Sequence, residues 1–252
     1  DIKYRQDKEY FSDHEYSGEI YYTDQFSQIP VKDGESWTIM VTGAPVMSEI
    51  KELLMRHRAW FTQTTAKGYV HYPVGAKIIA ALKCFFDLQK GKYVTRSNLL
   101  SYRTLIKPKN FKPKQLEELD PDQLYKAQDL ENMFGLDFSI NWKEVFANVN
   151  NPEWKRKKKY IADCIDQGVD IFDKKPKIKL CTIHSMKGGE DENTVVVGNM
   201  EMPFHKKYKS FDHIEKDTIK RMFYVACTRA KQRMYIYMCP SLKFRFDFDT
   251  VY

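Results

Sequence analysis

The chain has no run of 18 or more apolar residues, no Cys-x-x-Cys pair, no Gly-x-x-x-x-Gly-Lys-Ser/Thr loop, no internal repeat and no low-complexity tract. The first absence removes a membrane-spanning helix, which needs about 20 consecutive apolar residues. Residues 1–8, Asp-Ile-Lys-Tyr-Arg-Gln-Asp-Lys, have neither an initiator Met nor the apolar core of a signal peptide, so an excised piece of a longer, non-secreted polypeptide is expected. The five cysteines (Cys84, Cys164, Cys181, Cys227, Cys239) are odd in number and scattered, which speaks against a disulfide framework or a zinc site and for a reducing cytosol. His14, His71, His205 and His213 add no metal-ligand spacing and read as surface residues. Without the glycine-rich loop that cradles phosphates, and without an apolar strand ending in Asp-Glu to hold Mg²⁺, the chain lacks the parts that bind and cleave a nucleoside triphosphate unaided.

What is present supports a folded, basic protein. At 252 residues, 42% hydrophobic content with 14% aromatics is ample for a buried core in one large or two smaller domains. The formal charge of +7 favours a polyanionic partner, because clustered Lys and Arg gain affinity for phosphates by releasing counterions.

Residues 1–36 read as a connecting segment in which only Glu19 to Thr23 looks like a strand. Trp37 to Thr42 is an apolar strand ending at Gly43, and Pro45 opens a helix with Met47, Ile50, Leu53 and Leu54 at helical spacing. Ala59 to Thr65 is again β-rich, so the unit reads β-α-β with a parallel pair, and Pro73 starts a second helix that Gly91 stops. From 96 to 176 the texture changes: Pro108, Pro113, Pro121 and the Lys107 to Lys114 loop precede a helix opened by Asn151-Pro152, with Trp154, Ile161 and Ile165 on one face. Trp154 is expected in the core, whereas Trp142 could stack on bases. Strands return at Ile178 to Ile183 and Thr194 to Val197, then a polar loop at 199–216, a helix capped by Asp217, a strand at Arg233 to Met238 and a tail of alternating Phe244, Phe246 and Phe248 read as an edge strand. Strands alternating with helices predict an α/β fold with a parallel sheet, whose ligands sit at the carboxyl ends of the strands.

Two clusters could carry chemistry. Thr182, His184, Ser185 and Lys187 follow a strand, and Gly188-Gly189 permits a sharp turn or a close backbone approach. Hydroxyls, amides and a Lys suit phosphate; a strand-end turn satisfied by Thr and His is equally compatible with the spacing. In the second cluster Arg221 and Thr228 are two helical turns apart, and Arg229 lies about 100° further round. A cation there suits the helix dipole; it also suits an arginine held against a γ-phosphate. A third group, Lys155, Arg156, Lys157, Lys158 and Lys159, is either a solvated helix face or a duplex contact.

Thr182-Ile183-His184-Ser185-Met186-Lys187-Gly188-Gly189-Glu190 resembles motif V of superfamily 1 helicases of the UvrD, Rep and PcrA type, and Tyr224 to Lys231 resembles their motif VI. The resemblance covers about 37–95 and 177–240 and implies a RecA-like second motor domain, called 2A, over 37–95 and 177–252. Residues 96–176 would then be a reduced counterpart of the family's 2B insertion. It further implies that Thr182, His184 and Lys187 contact single-stranded DNA, that Gly188, Glu190, Arg221 and Arg229 serve the nucleotide, and that Arg229 is the arginine finger. ATP and Mg²⁺ would be cofactors of the complete protein, none held securely by this chain alone. Its partners would be single-stranded DNA, a duplex junction and an upstream 1A motor domain of the same polypeptide, in the cytoplasm of a bacterial or phage-infected cell. Gly189 for Leu, Asp191 for an apolar residue and Thr42 for Arg depart from the family pattern. The competing expectation is a non-catalytic nucleic-acid-binding or regulatory module that keeps the fold.

Overall fold

A computed structural model describes residues 18–31, 34–64, 70–103, 105, 113–145, 152–172, 176–186 and 188–250. The chain divides into two compact units, Asp1–Pro73 with Lys175–Tyr252, and Val74–Lys174. The first leg supplies strand β1 (Glu19–Thr23), strand β2 (Trp37–Val41), helix α1 (Ala44–Arg56), strand β3 (Phe61–Thr64) and the short β4 (Val70–His71). The second unit holds α2 (Ala76–Gln89), β5 (Val94–Thr95), α3 (Arg96–Tyr102), β6 (Leu124–Tyr125), α4 (Ala127–Phe134), α5 (Trp142–Val145) and α6 (Pro152–Asp166). The returning leg adds β7 (Ile178–Thr182), β8 (Asp191–Val197), β9 (Asn199–Met200), α7 (Met202–Tyr208), α8 (His213–Cys227), β10 (Ala230–Tyr237) and β11 (Phe244–Arg245).

The first unit is built on a seven-stranded sheet in the order β1-β10-β8-β2-β7-β3-β4. Every neighbouring pair is parallel except the hairpin-like β3 and β4. This mostly parallel sheet with flanking helices is the RecA-like α/β arrangement expected from the sequence. One expectation is corrected: β2 and β3 do not pair, because β7 lies between them and bonds to both. All five residues of β2 are buried, as a strand covered on both faces and bordered on both edges requires.

Alternate residues feed two cores. Met40, Cys181, Val196, Met234 and Ile236 point toward α8, where they meet Ile219, Met222, Phe223 and Ala226. Ile39, Leu180, Val195 and Tyr235 take the other alternation, toward α1, whose Ile50 and Leu54 are fully buried. Each such side chain contributes about 2 kcal/mol by leaving water. Among the described residues no helix is long and apolar enough to cross a membrane.

Several sequence expectations change around α7 and α8. The stretch 199–216 is not a loop: Asn199–Met200 pairs as β9 with β11, and Pro203 at the start of α7 supplies a preset φ for the first turn. The cap of α8 is Asp212, not Asp217; the Asp212 carboxylate accepts from Ile214 N at 2.8 Å, while Asp217 is buried inside the helix. The phenylalanine tail is not an edge of the main sheet. Only Phe244–Arg245 is a strand, and Phe246 stacks on Phe223 of α8 at 4.1 Å with Phe248 edge-on at 5.3 Å, because α8 leaves an apolar stripe that the sheet does not cover.

In the second unit α2 packs against α3, and Phe85 stacks on Tyr102 at 6.0 Å. Trp142 is 9% exposed with its ring 6.0 Å from Phe86, so it is a core residue and not a stacking platform. These ring contacts explain why the unit begins at Val74, before the change of texture at 96. On α6, Ile161 and Cys164 are fully buried, Trp154 is half-buried, and Lys155, Arg156 and Lys159 are exposed. The expected Asn151 cap and Lys107 to Lys112 lie outside the described residues.

Candidate functional site

Strand β7 ends at Thr182 and turns at once into a single 3-10 turn, Ile183–Met186. Ser185 N donates to Thr182 Oγ1 at 3.3 Å and Ser185 Oγ donates to the Thr182 carbonyl at 2.8 Å, so both hydroxyls are spent on shaping the turn. Ile183 is buried in the α8 core and anchors it. The ring left for a ligand is His184: its imidazole is exposed, flanked by the Phe204 ring of α7 at 6.4 Å. Gly189 N then donates to the Met186 carbonyl at 3.0 Å, and Gly188 takes φ of +79°, a left-handed conformation that glycine adopts without cost. Lys187 lies outside the described residues.

The C-terminal end of α8 closes onto this turn. Arg229 Nε donates to the Val225 carbonyl at 2.9 Å, Nη1 to the Gly189 carbonyl at 3.2 Å and Nη2 to Thr228 Oγ1 at 2.9 Å. Its three acceptors are neutral, and among the described residues no carboxylate pairs with it. The guanidinium is therefore fixed in direction yet keeps its charge for an anion. Asp191 N donates to the Arg229 carbonyl at 3.0 Å, and Lys231 Nζ stands 3.8 Å from the Glu190 carboxylate.

Asp191 sets the far end of the loop. Its carboxylate is buried at the start of β8, accepts from Thr38 Oγ1 at 2.6 Å and from Glu192 N at 2.9 Å, and lies 3.7 Å from Lys179 Nζ. A buried carboxylate is costly unless hydrogen-bonded and paired, and these two donors and the nearby ammonium meet that need. The acid that departs from the family pattern is thus a strut between β2 and β8. Beside it, burial raises the Cys181 thiol to about 11, well above an ordinary cysteine, which makes it inert.

The structure brings Gly188, Gly189, Glu190 and Arg229 together at one end of the turn, with Thr182 and His184 at the other. Arg221 is exposed on α8, eight residues before Arg229, which lies just beyond the Thr228 cap of that helix. Lys155 to Lys159 lie in the other unit. Sequence reasoning missed Thr38, 153 residues from its partner Asp191, and Phe204, hidden in a stretch read as loop. It did not foresee Val225 either, whose contribution is a carbonyl oxygen without a side-chain signature.

Phosphate fits the Arg229 end, since a guanidinium with only neutral partners is the donor set for an anion. Among the described residues no group of three or more His, Cys, Asp or Glu side chains could hold a metal ion. Residues 157–241 match the family described as UvrD-like helicase C-terminal domain, a span that includes the 3-10 turn, α8 and β10. No curated protein matches the chain.

Proposed function

Because the chain carries the C-terminal region of a UvrD-like helicase over residues 157–241, we propose that it is the second motor domain of an ATP-dependent DNA translocase moving 3′ to 5′ on single strands. The helicase motor role follows from the family; the division of labour among residues is our reading. The observation that carries it is the bond from Arg229 to the Gly189 carbonyl, which ties the end of α8 to the loop leaving His184. A shift of that loop would move the guanidinium, and a displaced guanidinium would move the loop.

In this reading Arg229 donates to the γ-phosphate and stabilises the charge that develops there, the part an arginine finger plays in phosphoryl transfer. ATP would supply the scissile phosphoanhydride, and Mg²⁺ bound in the complete protein would lower the charge on its oxygens. Gly188 and Glu190 shape the nucleotide side of the loop. Thr182 holds the turn that presents His184 to the strand backbone. Arg221, on the exposed face of α8, lies outside the Arg229 cluster and would reach nucleotide only after closure on an upstream 1A domain. The basic start of α6 would meet a duplex junction.

The test uses the complete polypeptide. His184→Ala should weaken DNA-stimulated ATP turnover while sparing basal turnover, and Arg229→Ala should abolish both. Equal loss of both turnovers in His184→Ala would refute the two-ended reading. The 252-residue chain alone should show no ATP turnover; activity that disappears in Arg229→Ala would overturn this.

A further inference from the structure

Beside the turn that carries His184 lies a second basic and aromatic surface that nothing above assigns. Helix α7 ends in His205, Lys206 and Lys207, followed by Lys209 at its cap. A cation or two at a helix C-terminus suits the dipole, but this group continues onto another element. His205 stacks on Phe244 of β11 at 4.4 Å, and Lys243 Nζ lies 5.7 Å from the same ring, with Arg245 exposed two residues on. Lys206, Lys207, Lys209, Lys243 and Arg245 have no acidic partner among the described residues. Of the carboxylates near in sequence, Asp212 caps α8, Glu201 sits against Gly43, where an added Cβ would meet its oxygen, and Asp247, two residues after Arg245, accepts from Asp249 N at 3.1 Å.

At the turn between α7 and α8, Phe211 is 100% exposed. A phenyl ring wholly in water, set between Lys209 and His213, contributes nothing to the core. A nucleobase is a flat partner that such a ring can stack on, provided the base is unpaired. The surface also adjoins the first site, because Phe204 of α7 is the ring beside His184.

We infer that α7, the α7–α8 turn and β11 form an additional track for single-stranded nucleic acid, with Lys206, Lys209, Lys243 and Arg245 taking backbone phosphates and Phe211 stacking one base. The continuity with His184 rests on the reading in the previous subsection; the surface itself does not.

The test is fluorescence anisotropy of a labelled oligothymidylate with the 252-residue chain over a KCl series, comparing wild type, the triple variant Lys206→Gln, Lys209→Gln, Lys243→Gln, the single variant Phe211→Ala and the single variant His184→Ala. All three lysines and Phe211 are exposed, so the variants should fold like the wild type. Losing three phosphate contacts should flatten the slope of log affinity against log salt by about 2. Phe211→Ala should weaken binding about tenfold with the slope unchanged. In an oligonucleotide carrying 5-iodouracil, ultraviolet light should crosslink Phe211.

An unchanged slope in the triple variant would overturn the inference. So would crosslinks that avoid Phe211, or an equal weakening for blunt duplex and oligothymidylate. Loss in the surface variants with His184→Ala intact would keep the track and sink the His184 reading. Loss in His184→Ala alone would do the reverse.

Discussion

The guanidinium of Arg229 donates to the carbonyl oxygen of Gly189 at 3.2 Å, and the backbone carbonyl of the same Arg229 accepts from Asp191 N at 3.0 Å. One residue thus holds the loop on both sides of Glu190. The arrangement is reciprocal, since anything that pulls the side chain toward an anion must loosen its hold on Gly189.

Replacing Arg229 should separate structure from chemistry. Its side chain is half-exposed and its acceptors are neutral, so Arg229→Lys is expected to cost at most about 1 kcal/mol of stability by urea denaturation. In the complete protein the same change should lower ATP turnover by about 10³-fold or more, because a single ammonium cannot keep the three-way hold and also reach phosphate. Near-wild-type turnover would remove Arg229 from the nucleotide site.

The Thr38–Asp191 strut predicts a stability effect without a functional motif. Thr38→Val keeps the shape but deletes the 2.6 Å donor to a buried carboxylate, at a cost of about 2 kcal/mol. In Asp191→Asn the amide can still accept from Thr38, so the double variant should be less destabilised than the sum of the singles. Strict additivity in urea midpoints would show that the two side chains are not coupled.

Asp212, and not Asp217, should behave as the start of α8. Asp212→Ala removes the acceptor of Ile214 N and should cost about 1 kcal/mol, with the first turn of α8 exchanging its amide hydrogens sooner. Unchanged protection at Ile214 and Glu215 would argue against this cap.

Burial raises the Cys181 thiol to about 11 and the Cys84 thiol to about 12 in the folded chain. Unfolded cysteines ionise near 8.5, so above that pH the unfolded state binds fewer protons and stability must fall as pH rises. Cys181→Ala should flatten this alkaline arm between about pH 9 and 11 in urea midpoints, even though it lowers stability at neutral pH. An arm of unchanged steepness would assign the loss to other groups.

Much of this was legible in the residues. The apolar run Trp37 to Val41 announced a buried strand and the pattern of Ile178 to Thr182 a second strand, and the crowded polar groups and paired glycines at 182–190 announced a turn. Other features were not legible because their cause is tertiary. The place of β7 between β2 and β3 depends on a strand more than 100 residues away, and no local periodicity encodes such a neighbour. Asn199–Met200 became a strand only because Phe244–Arg245 arrived to pair with it. The alternation of Phe244, Phe246 and Phe248 has the period of an edge strand, yet the uncovered stripe of α8 captured two of the three rings. Asp217 and Asp212 are both plausible caps by type, and only the backbone geometry at Asp212 separates them.

The strand order carries a consequence for how the chain is made. Leaving aside the small β3–β4 pair, each strand of the first leg finds its sheet partners only in the returning leg: β1 in β10, β2 in β7 and β8, β3 in β7. As the polypeptide leaves the ribosome, β1, β2 and β3 must therefore wait, unpaired, until the whole of Val74–Lys174 has been synthesised. The intervening unit, with its local helical contacts, can fold in that interval, while the motor sheet closes last and through distant contacts. A chain truncated before β7 would keep its helices and expose apolar strands with nothing to pair with.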